Sequence, residues 1–164
     1  MRIGEIVVVG PPDVSKKKFL AAVCSEVNEL NPAFVAGRVP IGEHLALHLY
    51  GIDLESEPYS YHWELIGSKL LGFIVMYNWY NRASFEAAQK LIDYLYNRYR
   101  VPTVVAADSG DKPIPTPDTF YQDGIQLSQD CFLMFCNISD NNSIKRAYTI
   151  LLDTLIERGA EVYD

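Results

Sequence analysis

The stretch at residues 10–17, Gly-Pro-Pro-Asp-Val-Ser-Lys-Lys, has the length and some of the residues of a phosphate-binding loop. In the pattern G-x-x-x-x-G-K-[ST], the glycines let the backbone approach the phosphates, the lysine binds their charge and the hydroxyl binds magnesium. Gly10 and Lys16 fit this pattern, whereas Ser15 replaces the second glycine and Lys17 replaces the hydroxyl residue. The loop is therefore compatible with contact to a phosphate but not with ordinary magnesium binding.

Three consecutive lysines, Lys16 to Lys18, stand at the start of the helix that is predicted to follow this loop. The N-terminus of a helix carries partial positive charge, so each cation there costs about 0.3–1 kcal/mol. A bound anion would relieve this repulsion. Alternatively, the flexible lysines simply extend into water, and the sequence leaves both interpretations open.

Other residues with chemical potential form no convincing site. His44 and His48 share one face of a predicted strand, but four residues at about 3.3 Å each separate them by about 13 Å, too far for one metal ion. His62 stands alone, so we expect polar or capping roles for the histidines. The acidic residues that follow this strand are interpreted as a solvated loop: Asp53, Glu55 and Glu57.

The composition predicts a single domain over residues 1–164, because the chain is 49% hydrophobic and long enough for one sizeable core. A net charge of −7 argues against binding to nucleic acid or to an anionic membrane, since either would need a basic surface. The three cysteines lack zinc-type spacing and suit a reducing compartment. With no signal-peptide pattern and no apolar run of about 18 residues, we predict a cytoplasmic protein.

Apolar runs typical of buried strands alternate with segments of helical spacing. Strands are predicted at residues 5–10, 43–51, 70–78, 101–107 and 131–137, with an antiparallel edge strand near residues 33–41. Helices are predicted at residues 16–30, 84–99 and 143–159, the first ending at Asn31-Pro32 and the last at a glycine cap, Gly159.

This alternation predicts a doubly wound α/β fold, with a mostly parallel six-stranded sheet and helices on both faces. In such sheets, ligands bind at the carboxyl ends of the strands. The loop at residues 10–17 follows the first strand and therefore lies at such an end. The fold prediction thus places this loop where a ligand would be expected.

The order of these elements, together with the loop, resembles the Ras-like small GTPases, in particular the bacterial branch related to the gliding-motility GTPases, over nearly the whole chain. Residues 48–66 are similar to the family's strand followed by D-x-x-G-Q, residues 101–111 to its strand followed by N-K-x-D, and residues 131–139 to its S-A-K-type loop. The resemblance implies a P-loop fold and these nucleotide-contacting positions: Gly10, Asp13, Val14, Ser15, Lys16, Lys17, Asp108, Asp111 and Asn137.

Most residues of the family's functional motifs are replaced in this chain. The comparison sets Gly51 at the magnesium-linked aspartate, Leu54 at the γ-phosphate-sensing glycine and Glu55 at the water-positioning glutamine, and it leaves Asp53 two positions late. Residues 31–44, which correspond to the first switch, contain no threonine. We therefore assign no catalytic residue and no metal ligand.

Phosphoryl transfer depends on positioning and electrostatics, and here the metal ligands, the water-positioning residue and the γ-phosphate sensors are replaced together. We predict a catalytically inactive pseudo-GTPase that acts as a protein-binding scaffold or regulator in signalling and needs no cofactor. One alternative is a guanine-nucleotide-binding protein that holds GDP or GTP with little or no hydrolysis and without magnesium. A third, weaker hypothesis is an enzyme of different specificity on the same scaffold.

An aromatic segment offers a surface for a protein partner. Tyr59, Tyr61 and Trp63 alternate in a chain with eleven tyrosines, and tyrosine and tryptophan are favoured at protein interfaces. Core packing of the same three side chains is the alternative. The resemblance implies that partners include small Roadblock-type dimers.

Overall fold

The computed structural model of the protein describes residues 1–54, 69–113 and 130–163. Within these residues the strands are β1 (Arg2–Gly10), β2 (Glu26–Asn31), β3 (Phe34–Ile41), β4 (Leu45–Asp53), β5 (Leu70–Asn78), β6 (Thr103–Asp108) and β7 (Cys131–Cys136). The helices are α1 (Lys16–Val23), α2 (Arg82–Tyr99) and α3 (Asn141–Tyr163).

The strands form one seven-stranded sheet in the order β2-β3-β4-β1-β5-β6-β7. β1 pairs parallel with β4 and β5, and β6 is parallel to both of its neighbours, while β3 is antiparallel to β2 and β4. The mostly parallel α/β sheet is therefore confirmed, as is an antiparallel strand near residues 33–41. The predicted number of six strands is wrong, and β3 is not the outermost strand because β2 lies outside it.

The additional strand β2 comes from the segment predicted as the second half of the first helix. α1 ends at Val23, and Cys24, which caps it with extended backbone, donates its N–H to the Leu20 carbonyl at 2.7 Å. Val27 and Leu30 fit helical spacing, but Val27 packs on the core from a strand and Leu30 lies at a register shift, 60% exposed. Pairing with β3 satisfies the backbone here, and such tertiary context overrides a weak local helix preference.

The sheet is covered on both faces, as predicted. Along β1, Ile6 and Val8 pack on the side of α1 and α3, whereas Val7 and Val9 pack on the side of α2. All four side chains are fully buried. Because neither face of this strand contacts water, its residues do not alternate between apolar and polar, and the segment is one continuous apolar run in the sequence.

The last helix continues past its predicted end. α3 runs to Tyr163, so Gly159 lies inside the helix and does not cap it. The left-handed cap that glycine favours is instead adopted at the end of α2 by Arg100, with φ of 50°. None of the helices in the described part of the chain is long and apolar enough to cross a membrane.

Candidate functional site

The loop between β1 and α1 lies where the carboxyl ends of three parallel strands meet. Gly10, the last residue of β1, is aligned with Asp53, the last residue of β4. A Cβ atom on Gly10 would lie 2.0 Å from the backbone oxygen of Met76 in β5. Glycine is thus required for the close approach of β1 and β5, independently of any ligand.

Lys16, the first residue of α1, is held inside the protein. Its side chain is only 2% exposed, and its Nζ donates to the carbonyl of Pro11 and lies 2.8 Å from Oδ1 of Asp53. Burial lowers the pKa of Lys16, while the hydrogen bond and charge of Asp53, and then the charge of Asp13, oppose that shift. The positive charge of this lysine is therefore balanced within the chain.

Gly51 makes room for this lysine. A Cβ atom on Gly51 would lie 2.7 Å from Cβ of Lys16 and 2.6 Å from Cγ2 of Val35. The sequence comparison set Gly51 at the family's magnesium-linked aspartate and left Asp53 two positions late; in the structure, Asp53 is the last residue of β4 and lies beside Lys16. Asp53 therefore belongs to β4 and not to a solvated loop. The apolar pattern of this strand continues to Ile52, and this is the feature of the sequence that could have indicated the later strand end.

The other lysines of the loop also have contacts within the chain. Ser15 caps α1, its Oγ accepting the backbone N–H of Lys18 at 3.1 Å. Lys17 Nζ lies 3.1 Å from Oε2 of Glu29 in β2, and both side chains are largely exposed, so this ion pair is weak. Carboxylates of the protein itself therefore neutralise two of the three crowded lysines, a solution that the sequence interpretation missed.

Asp13 ties the loop to α2. Its Oδ1 accepts a hydrogen bond from Ser84 Oγ at 3.0 Å, and its Oδ2 accepts one from Asn81 Nδ2 at 3.2 Å. Asn81 is also the N-cap of α2. The neighbouring Val14 is buried in the core on the side of α1 and α3. Both residues of the predicted site thus hold the loop in place.

Asn137 belongs to a hydrogen-bonded junction between a strand end and the following helix, which is found at two places in the part of the chain that the structure describes. The backbone N–H of Asn78, at the end of β5, donates to Ser84 Oγ at 2.8 Å, and that of Asn137, just after β7, donates to Ser143 Oγ at 2.8 Å. Each asparagine side chain also accepts the backbone N–H two residues later. The shared spacing of asparagine and serine in the sequence would have revealed this junction, which sequence reasoning missed.

Asp108 connects the loops after β6 and β7. Its Oδ1 accepts the backbone N–H groups of Gly110 and Ile138, at 3.1 and 3.2 Å. The structure therefore brings Asp108 and the segment after Asn137 together. Asp111 is exposed on the same loop and takes no part in this arrangement.

Two open clefts flank the start of α1. The first, of about 240 Å³, has Lys16, Lys17, Glu29 and Asp53 among its lining residues. The second, of about 310 Å³, lies between α1 and the start of α3 and is lined by Lys18, Ala21, Ile138, Ser139 and Asn141. No group of three His, Cys, Asp or Glu side chains suited to a metal ion occurs in the part of the chain that the structure describes.

No family model matches the chain, and no curated protein matches it. The aromatic segment with Tyr59, Tyr61 and Trp63 lies outside the described residues. So do Glu55, Glu57 and His62. The assignment of function therefore depends on the loop, on the clefts beside it and on the sequence resemblance.

Proposed function

We propose that this protein is a Ras-like pseudo-GTPase, which keeps a P-loop-like domain but acts through protein contacts as a scaffold or regulator in signalling. The order of β1, loop and α1, with the loop at the carboxyl ends of parallel strands, agrees with such a domain. In this proposal the partner binds the segment with Tyr59, Tyr61 and Trp63. Roadblock-type dimers are the partner class that the resemblance implies.

The observation that carries the proposal is the internal pairing of Lys16. The ammonium that would bind phosphate is buried and contacts the Pro11 carbonyl and the Asp53 carboxylate. A phosphate would have to displace Asp53 and then lie close to it, and two like charges in a partly buried site repel strongly. The lysine is thus better suited to holding the loop than to binding a nucleotide.

The residues beside Lys16 support the same conclusion. Ser15 uses its hydroxyl oxygen to cap α1. Lys17 brings an ammonium group, which donates hydrogen bonds but offers no oxygen ligand for magnesium. Neither residue supplies the metal coordination on which phosphoryl transfer by Ras-like enzymes depends.

A guanine-nucleotide-binding protein with little or no hydrolysis is the second proposal. The observation that favours it is the pair of open clefts on the two sides of α1, one beside Lys16 and Lys17 and the other beside Lys18. If GDP or GTP were bound, the ammonium of Lys16 would contact its phosphates in place of the carboxylate of Asp53. This exchange requires the carboxylate to turn into solvent, which its 28% exposure makes sterically feasible.

Nucleotide release separates the two proposals. Protein purified without added ligand is denatured with acid, and the supernatant is examined by absorbance and chromatography. The pseudo-GTPase proposal expects no nucleotide in it, and a stoichiometric amount of guanine nucleotide would move the second proposal into first place.

Turnover and thermal scans complete the test. GTP incubated with protein and magnesium should be hydrolysed no faster than in buffer, and the melting temperature should not respond to GDP, GTP, ATP or sulfate beyond a general salt effect. Lys16→Ala is compared with Lys90→Ala, an exposed lysine on α2. Turnover that Lys16→Ala abolishes and Lys90→Ala leaves intact would overturn the pseudo-GTPase proposal.

A further inference from the structure

A cleft of about 270 Å³ lies on the part of the sheet formed by β2, β3 and β4. Among its lining residues, Tyr50 packs on the α2 side of the core, so the cleft opens on that face of the sheet. α2 itself packs on β5 and β1. α1 packs on the other face, and this cleft is therefore separate from the two clefts beside the lysines of the loop.

One row of side chains across this cleft carries opposite charges that do not pair. Glu26 of β2 is aligned with Arg38 of β3, and Arg38 with His48 of β4. Glu26 and Arg38 form no ion pair with each other or with any other described residue. The guanidinium of Arg38 donates to Sδ of Met1 at 2.8 Å, and a thioether is a weak acceptor. A carboxylate and a guanidinium thus lie side by side with hydrogen-bonding capacity left for a ligand.

A second row, two residues further along each strand, is uncharged. Asn28 is aligned with Ala36, and Ala36 with Tyr50. Ala36 is small between two larger neighbours, so it leaves a depression in the sheet surface. The ring of Tyr50 is stacked on that of Phe34, with centroids 5.8 Å apart, which holds one wall of the depression in place. A methyl group, an aromatic ring and an amide therefore surround a space suited to one small side chain.

We propose that this cleft binds a free α-amino acid. The carboxylate of the ligand contacts Arg38, its ammonium contacts Glu26, and its side chain lies over Ala36 beside Tyr50. An α-amino acid carries both charges on one carbon atom, and residues directly opposite each other on neighbouring strands have Cβ atoms only about 4.5–5.5 Å apart. A guanidinium also binds a carboxylate through two parallel hydrogen bonds, which orients the ligand.

Charge complementarity favours a ligand that carries both signs. A phosphate or a dicarboxylate at Arg38 would lie close to the carboxylate of Glu26, and a polyamine at Glu26 would lie close to the guanidinium, so each would meet a like charge. A neutral zwitterion satisfies both side chains. It is also not repelled by the net charge of −7 that the chain carries.

The size and exposure of the cleft set the strength of binding. Its volume of about 270 Å³ lies below the roughly 300–1,000 Å³ of pockets that enclose drug-sized ligands, which fits a single amino acid. Glu26 and Arg38 are exposed, so water competes for their charges. We therefore expect a dissociation constant of about 1 mM.

Nuclear magnetic resonance titration of the full chain tests the proposal, with leucine, glutamine and phenylalanine as probes. At least one probe should shift the amide signals of β2, β3 and β4 in a saturable way. N-acetyl-leucine lacks the ammonium and leucinamide lacks the carboxylate, so each should bind about tenfold more weakly than leucine or not at all. Derivatives that bind as tightly as leucine overturn the proposal. So does the absence of a saturable shift with all three amino acids at about ten times the expected dissociation constant.

Variants show whether the named side chains hold the ligand. Arg38→Gln and Glu26→Gln should each weaken binding about tenfold, and Ala36→Leu should abolish it by filling the depression without changing any charge. Glu29→Gln is the matched control, because it makes the same change on β2 at a residue whose partner is Lys17 of α1, on the other face of the sheet. Binding that Glu29→Gln weakens as much as Glu26→Gln does, or that Ala36→Leu leaves unchanged, contradicts the proposed site.

Discussion

The Nζ of Lys16 lies 2.8 Å from Oδ1 of Asp53, and the two partners are buried to different extents. The side chain of Lys16 is 2% exposed, whereas that of Asp53 is 28% exposed. Water can therefore solvate the aspartate if its partner is lost, but it cannot reach the lysine. The ion pair should respond differently to removal of each charge.

Asp53→Asn should destabilise the protein more than Lys16→Met does. The first change leaves a buried ammonium without its counter-ion, and breaking a buried pair in this way costs about 3–5 kcal/mol. The second replaces the lysine by an apolar chain of similar length and leaves a carboxylate that water reaches. Urea unfolding of both variants and of the double variant measures the difference, and equal losses would show that the two ends of the pair are equivalent.

Lys18→Glu should stabilise the protein by about 0.3–1 kcal/mol. Ser15 is the N-cap of α1, and a glutamate at residue 18 would complete a capping box and place a negative charge in the first turn. The corresponding change of Lys17 is less suitable, because it would place two carboxylates together at Glu29. Thermal unfolding measures the effect, and a lower melting temperature for Lys18→Glu would instead indicate that an anion binds at this helix start.

Gly159→Ala should stabilise the protein by about 0.5–1 kcal/mol, because alanine is the better residue inside a helix and, among the described residues, no atom beyond its chain neighbours and the adjacent helix backbone lies within 4 Å of the added methyl group. If Gly159 were a left-handed cap, the same change would destabilise. Gly10→Ala provides the contrast, since its Cβ would clash with the Met76 backbone, a cost of about 1–3 kcal/mol or more. Chemical denaturation measures both effects: the free energy of unfolding should rise in Gly159→Ala and fall in Gly10→Ala.

Alkaline pH should weaken the fold through Cys136. Burial, and then the charge of Asp108, raise the pKa of this thiol from 9.0 to about 12. The stability that the protonated thiol contributes is fully present below pH 9. Above pH 9 the unfolded chain loses this proton before the folded protein does, so the free energy of unfolding falls as the pH rises toward 12. The slope is about 1.4 kcal/mol per pH unit for one such group.

Urea unfolding at several pH values from 8 to 10.5 measures this slope, and Cys136→Ala should flatten it. Cys24→Ala should also flatten it, because burial raises the pKa of the Cys24 thiol to about 11. A slope that is unchanged in Cys136→Ala would show that this thiol does not carry the effect.

Much of the fold was predictable because its signals are local. The apolar run of β1 indicates a strand buried on both faces, and the structure buries Ile6 and Val7 on opposite faces. The alternation of strands and helices predicted the mostly parallel sheet and its antiparallel strand. Such patterns depend only on neighbouring residues, so the sequence alone determines them.

The ends of the elements were less predictable. Val27 and Leu30 have helical spacing, yet they lie in β2 because β3 offers backbone partners there. Gly159 has the residue type of a cap, yet α3 passes through it. Local propensity differs little between the alternatives at these positions, so contacts with distant segments decide.

The candidate site divides in the same way. The sequence by itself determined the phosphate-loop pattern with Gly10 and Lys16, and it showed that Ser15 and Lys17 depart from it. Only the tertiary structure decided that Asp53 neutralises Lys16 and that Gly51 makes room for it. The pairing of β1 with β4 brings these residues together, and the energy of a buried ion pair depends on that distance and on the exclusion of water, neither of which a linear sequence contains.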